Sequence, residues 1–385
     1  MTAFPENLLA KIQKRKQENA LRVLTRGDFE VDFSSNDYLG FSHSKWVANE
    51  LRTKLDSQGD VSYGSTGSRL LSGNHQGHEK LERFLAQYHK VAAALLFNSG
   101  YDANLGFFSA VPQRGDIVIY DAYAHASIRD GIQLCNAKSY KFKHNDLEDL
   151  KNVLQHYHGG QGNLYVVTES VFSMDGDSPD LKAMADITER FGAYMVVDEA
   201  HAVGVFGEKG EGLVQALNLQ KRVFARIITF GKALGCHGAA VLGSELLKMY
   251  LYNFARSFMY TTALSPHSIG IIENVYGLLN QEHQDSHYKK QRSQLLRNIE
   301  FFKAELKTLG LDDANYLPSD SAIQCLIVPG NEQVKKLAAR LQGAGFDVRP
   351  ILSPTVPKDY ERIRFCLHSF NTLDEISGVL KQVLP

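Results

Sequence analysis

The chain has 385 residues, 44% hydrophobic and 22% charged, enough for two domains, or one large domain with an appendage, around a sizeable core. Its formal net charge is −1, so no overall field recruits nucleic acid or an anionic membrane, and any anionic substrate must be met by local residues. No apolar run approaches the roughly 20 residues of a membrane span, and the N-terminus, with Pro5 among polar residues, lacks the apolar region of a signal peptide.

Four cysteines (Cys135, Cys236, Cys325, Cys366) lie far apart without a CxxC pair. They suit neither a disulfide framework nor a zinc ribbon, and a reducing cytoplasm is the expected location. From the N-terminus, Asn7 to Leu24 carries Leu8, Leu9, Ile12, Ala20, Leu21 and Leu24 at a loose helical spacing. Between about residues 90 and 245, short apolar runs alternate with helical segments. The clearest strands are AALLF (93–97), DIVIY (116–120), LYVVTES (164–170), AYMVVDEA (193–200), ARIITF (225–230) and GAAVLG (238–243). Strands so continuously apolar are buried on both faces, which predicts an α/β fold with a mainly parallel sheet covered by helices. A long helical stretch follows over about 267–310. SAIQCLIVPG, a helix around Glu332–Gly343, FDVRPI and RIRFCLHS then read as a small C-terminal α+β domain. The expected division is an N-terminal helix and arm (1–40), a large domain (41–280) and the small domain (281–385).

In open α/β sheets the ligand sits beyond the C-terminal strand ends, and the unusual residues of this chain fall there. Lys232 lies in ITFGKALGCHGAAV, a long cation in a bed of Gly and Ala. It could serve phosphate binding, a metal or thiol site, or a Schiff base. A Walker A loop needs Gly where Arg226 stands and Ser or Thr where Ala233 stands. A catalytic zinc site needs three ligands, and no such set is apparent. A Schiff base needs a lysine whose pKa is lowered by apolar surroundings, and Lys232 has them. Pyridoxal phosphate further needs an anionic partner for its pyridinium nitrogen. Asp198, at the end of its strand in VVDEAH, fits that role, although it could also ligate a metal or cap a turn. His125 in AYAHASIRDG is a candidate ring to lie against the cofactor, or a satisfied polar residue. The strand–turn–helix junction FNSGYDAN, with Ser99, Gly100 and Tyr101 at the turn, offers backbone N–H groups to a phosphate.

The order SSNDYLG, FNSGYDAN, HASIRDG, ESVFSMDGD, VDEAH, TFGKALGCHGAAV and PTVP…RIR resembles the α-oxoamine synthases, fold-type I pyridoxal-phosphate enzymes that join an amino acid to an acyl thioester with loss of CO2. The resemblance runs from about Leu21 to the C-terminus. It implies that Lys232 binds the cofactor aldehyde and acts as the base, with Asp198 on the pyridinium, His201 and Ser173 at the ring oxygen, and His125 stacked on the ring. Gly100, Tyr101 and Thr229 would contact the phosphate, joined by Thr262 from a neighbouring subunit, which makes the site a property of a homodimer. Asn36 and Arg364 would hold the amino-acid carboxylate, and Thr355 would line the substrate pocket. Arg22 in ENALRVL stands where members specific for a pimeloyl chain carry an arginine near the acyl group. The implied substrates are L-alanine and a pimeloyl thioester of coenzyme A or acyl-carrier protein. Another α-oxoamine synthase reaction on glycine or serine, an aminotransferase and a non-catalytic partner subunit stay open. Cys236 and His237 read as packing or wall positions.

Overall fold

A computed structural model describes residues 4–22, 24, 29–57, 63–283, 285–312 and 315–384. The chain divides into two compact units. The smaller comprises Met1–Ser35, Met174–Asp177 and Ser293–Pro385, and the larger Asn36–Ser173 and Ser178–Arg292. The smaller unit thus draws a short excursion from mid-chain, directly after Ser173. In chain order the strands are β1 (Val31–Asp32), β2 (Ala93–Phe97), β3 (Ile117–Asp121), β4 (Lys138–Phe142), β5 (Leu164–Glu169), β6 (Tyr194–Asp198) and β7 (Ala225–Thr229). They continue with β8 (Ala239–Gly243), β9 (Tyr316–Leu317), β10 (Ile323–Ile327), β11 (Phe346–Asp347), β12 (Arg349–Ile351) and β13 (Arg362–Cys366).

The larger unit is built on a 7-stranded sheet in the order β2-β8-β7-β6-β5-β3-β4. The pairs β3·β4, β3·β5, β5·β6 and β6·β7 are parallel, while β8 is antiparallel to both neighbours. Every residue of β2 and β5 is buried, as expected where helices cover both faces. On one face Ala103, Phe107 and Phe108 from the helix Gly100–Ala110 pack with Ile128, Val118, Val167 and Val196. On the other, Leu150, Leu154, Leu181 and Met184 pack against Ile119, Val166 and Val197. β4 is a strand the sequence conceals. Its KSYKF is largely exposed and pairs only with β3, so an edge position replaces the apolar run that marks the other strands.

In the smaller unit, β12-β13-β10-β9 form an antiparallel sheet and β1 pairs with β11 in parallel. The helices Asn331–Gly343 and Leu373–Lys381 accompany it, the second closed by a capping box between Thr372 and Glu375. Two helical expectations are shortened. The N-terminal helix is Glu6–Gln17, halted before Asn19, which takes a left-handed φ of 50°. The stretch over 267–310 is two helices, Pro266–Leu279 and His287–Thr308.

Candidate active site at the strand ends

Because β8 is antiparallel to both β2 and β7, the strands β2, β3, β5, β6 and β7 all point the same way, and their C-terminal ends share one edge of the sheet. The register fixes the neighbours. Ala239 pairs with both Phe97 and Thr229, and Asp198 lies between Glu169 and Ile227.

At the end of β2, Ser99 caps the helix Gly100–Ala110 by accepting the Asp102 N–H at 3.0 Å. A Cβ built on Gly100 would stand 3.7 Å from the Thr229 Cβ, so the first turn of this helix and the end of β7 converge. First-turn N–H groups have no acceptor within their own helix, and with a nearby hydroxyl they form a ready cradle for an anion. The Tyr101 phenol is turned to Asp130, which leaves its backbone as its contribution to that cradle.

Lys232 follows β7 and opens a short 3-10 turn, Lys232–Leu234, half-buried. Its φ of 54° lies in the left-handed region, rare for a residue with a side chain and concentrated at functional sites. The small residues nearby permit close packing: a Cβ on Gly204 would come within 2.7 Å of the Ala233 Cβ. Cys236 is half-buried. Burial pushes its thiol up to about 12, and its Sγ donates to the Leu234 carbonyl at 3.2 Å.

Asp198 is 6% exposed. Its Oδ1 accepts the Ala200 N–H at 2.9 Å and its Oδ2 accepts from Asn104 Nδ2 at 2.7 Å. His201, three residues on, is also buried and meets the Tyr38 hydroxyl through Nδ1 at 2.7 Å, and Tyr38 donates to Asn36 Oδ1 at 3.0 Å. His125 caps the helix Ala126–Leu134, with Nδ1 accepting the Ser127 N–H at 3.2 Å. Burial lowers the His125 pKa, the Asp198 charge pulls it back up, and the Lys232 ammonium lowers it further. Burial also holds the Glu169 carboxyl well above the usual carboxylate range, reinforced by Asp198 and opposed by Lys232. Lys232, Asp198 and His125 therefore share one electrostatic neighbourhood. Ser173 is half-buried in the turn after β5. Thr262 is exposed, with its carbonyl held by Asn98 Nδ2 at 2.8 Å.

Sequence reasoning passed over four residues here: Glu169, Asn104, Ser127 and Tyr38. Each lies inside a quoted motif, and Glu169 carried the signal that singled out Asp198, an acid at the end of an apolar strand. The smaller unit holds the remaining candidates. Arg22 Nη2 donates to Thr355 Oγ1 at 3.4 Å, joining residues 333 positions apart. Arg364 is half-buried on β13, opposite Arg349 and Cys325. Its neighbour in RIR, Arg362, is 1% exposed and bound to Asp175 and to the Met174 carbonyl.

The donor set fits pyridoxal phosphate: a lysine amine for the aldehyde, a carboxylate for the pyridine nitrogen, an imidazole for the ring, and a helix start with Thr229 for the phosphate. The model of the aminotransferase class I and II family matches residues 30–380. The chain belongs to that family and, within it, to the α-oxoamine synthases, as a pyridoxal-phosphate-dependent acyltransferase. The particular likeness is to 8-amino-7-oxononanoate synthase. The enzyme of that name from Emericella nidulans is 38% identical over 98% of this chain and 94% of its own length. The solved 8-amino-7-oxononanoate synthase from Francisella tularensis is 29% identical, covers 92% of this chain and 97% of its own, and superposes with a TM-score of 0.76. A serine palmitoyltransferase from S. paucimobilis, solved with PLP and myriocin bound, is 27% identical over 98% and 96% of the two chains, with a TM-score of 0.84. Among the described residues no helix is long and apolar enough to cross a membrane.

Proposed function

We propose that the chain condenses L-alanine with a pimeloyl thioester to give 8-amino-7-oxononanoate, CO2 and free thiol, a step of biotin biosynthesis. The observation that carries the reaction class is the gathering of Lys232, Asp198, His125 and the Gly100–Thr229 cradle at one sheet edge. The Cα proton of alanine leaves, a bond forms from Cα to the acyl carbonyl carbon, and the C–S bond breaks as the thiol takes up a proton. The carboxylate then departs as CO2 and a proton from solvent replaces it. Bound pyridoxal phosphate supplies the electron sink for the charge left at Cα when each bond breaks.

The residues do the rest. Lys232 holds the cofactor through its amine and then carries the Cα proton. Asp198 keeps a proton on the pyridine nitrogen by its negative charge. His125 lies against the ring, while His201 and Ser173 hold the ring oxygen. Gly100, Tyr101 and Thr229 receive the phosphate, with Thr262 supplied across a homodimer. Asn36 and Arg364 take the alanine carboxylate, a task that suits a bidentate guanidinium.

The pimeloyl chain, which ends in a carboxylate, is favoured by the Arg22–Thr355 contact, an exposed guanidinium tied to a hydroxyl assigned to the substrate pocket. The two relatives named 8-amino-7-oxononanoate synthase support the same choice. The test is a matrix of alanine, glycine and serine against pimeloyl, acetyl, succinyl and palmitoyl thioesters, scored by CO2 and thiol release. Alanine with pimeloyl should turn over fastest. Preference for serine with palmitoyl, the pair suggested by the serine palmitoyltransferase likeness, would overturn the substrate assignment and leave the cofactor chemistry standing.

A further inference from the structure

Two buried side chains with no assigned task join Asp198 to His125. Asn104, on the helix that starts at Gly100, donates through Nδ2 to Asp198 Oδ2 at 2.7 Å and to Ser127 Oγ at 3.0 Å. Ser127 Oγ stands 2.7 Å from His125 Nδ1, and the Ser127 backbone N–H points at the same nitrogen at 3.2 Å. Asn104 is 2% exposed and Ser127 1% exposed.

The protons in this chain of contacts have one consistent arrangement. A backbone N–H can only donate, so His125 Nδ1 is an acceptor and the neutral ring carries its proton on Nε2. The Ser127 hydroxyl then also donates to Nδ1, which leaves its oxygen free to accept from Asn104. Exchanging the oxygen and nitrogen of Asn104 would set Oδ1 against the Asp198 carboxylate, so Nδ2 faces it. The remaining amide oxygen of Asn104 is buried with no partner among the described residues. Burying an acceptor unsatisfied is unfavourable. What Asn104 contributes here is therefore its two donors.

We propose that Asn104 and Ser127 are positioning residues that hold His125 as the neutral Nε2–H tautomer and tie its orientation to Asp198. The inference rests on the reading of Asp198 and His125 as cofactor-facing groups. A neutral imidazole can lie against a cationic pyridinium where an imidazolium would be repelled, and its Nε2–H remains available as a donor. The charged groups around His125 divide in sign: Asp198 and Asp130 favour its protonation, while Lys232 and Arg129 oppose it. Glu169 holds the His125 backbone N–H at 2.6 Å and so fixes the start of its helix.

The test is long-range 1H–15N NMR of the histidine rings in the full chain without cofactor, with the His125 signals assigned through His125→Gln. The wild type should show an unprotonated Nδ1 and a protonated Nε2 near neutral pH. Ser127→Ala and Asn104→Leu should each shift the His125 nitrogens toward a tautomer mixture and change the titration midpoint, and Ser127→Thr should restore both. In the holoenzyme, Ser127→Ala should lower kcat about tenfold, the worth of one hydrogen bond, with the KM for alanine unchanged. An Nδ1–H tautomer in the wild type would overturn the proposal, as would variants that stay folded with His125 signals like the wild type. If instead the NMR result holds but His125→Gln and Asp198→Asn bind pyridoxal phosphate like the wild type, the cofactor reading fails and the tautomer control stands.

Discussion

Asp198 and Glu199 are consecutive acids at the end of the same strand, and their surroundings differ completely. Glu199 is fully buried against Arg226, which donates from Nε at 2.6 Å, and its other oxygen accepts the Val214 N–H at 2.9 Å. Arg226 is itself completed by the carbonyls of Glu211, at 2.7 Å, and His89, at 3.3 Å. That cluster is closed by the protein's own groups. Asp198 instead accepts from two neutral donors, Asn104 Nδ2 and the Ala200 N–H. A buried carboxylate needs a compensating charge, and under the proposed function Asp198 would receive it from the cofactor. The difference separates a charge closed by the fold from the charge to which the proposed function gives a ligand.

That contrast breaks most sharply in stability. Arg226→Met removes the partner of Glu199 and leaves a buried charge unpaired, a loss of about 3–5 kcal/mol in denaturant unfolding, with turnover per folded molecule unchanged. Equal stability in the variant would show that the pair is not structural. The mirror experiment is Asp198→Asn, which should leave the unfolding midpoint of the cofactor-free chain near the wild type. It should also reduce turnover by about 10²–10³-fold, the scale for removing a preorganised electrostatic contact. Wild-type activity in that variant would remove Asp198 from the mechanism.

A smaller effect comes from Glu169, whose carboxyl burial holds well above its ordinary value, with Asp198 adding to the shift. The folded state keeps this proton longer than the unfolded chain does. Its stabilising contribution is thus complete below the unfolded carboxyl pKa and is lost as pH rises toward the folded value. Glu169→Gln should therefore flatten the decline of cofactor-free stability above about pH 4.3, the unfolded glutamate value, and change little below it. A variant profile parallel to the wild type would contradict the upward shift of the Glu169 carboxyl. The smallest effect concerns the exposed Arg22. Arg22→Ala should raise the KM for a pimeloyl thioester a few-fold, consistent with the ~0.2–1 kcal/mol of exposed charge contacts, and leave the alanine-induced spectral change intact. An equal loss of both would remove Arg22 from the acyl end.

The central sheet was legible because its strands are apolar on both faces, and the rule that ligands sit beyond the C-terminal strand ends drew attention to Lys232, Asp198 and His125. β4 was hidden because an edge strand with Lys138, Ser139 and Lys141 exposed has no apolar run to announce it. The reversed direction of β8, which aligns the ends of β2 and β7, is a pairing that no local pattern encodes. Asn104 and Ser127 were invisible for a similar reason. Their residue types are ordinary in helices and caps, and only the meeting of two helix starts with the end of β6 gives them a task. The excursion Met174–Asp177 into the smaller unit likewise depends on Arg362, nearly 190 residues later in the chain, meeting Asp175.

The most direct question is which lysine carries the cofactor. The purified chain loaded with pyridoxal phosphate, reduced with borohydride, digested and mapped by mass spectrometry, should yield one pyridoxyl-modified peptide, with the label on Lys232. A label on a different lysine, or full turnover in Lys232→Ala, would contradict the assignment of the strand-end cluster as the active site.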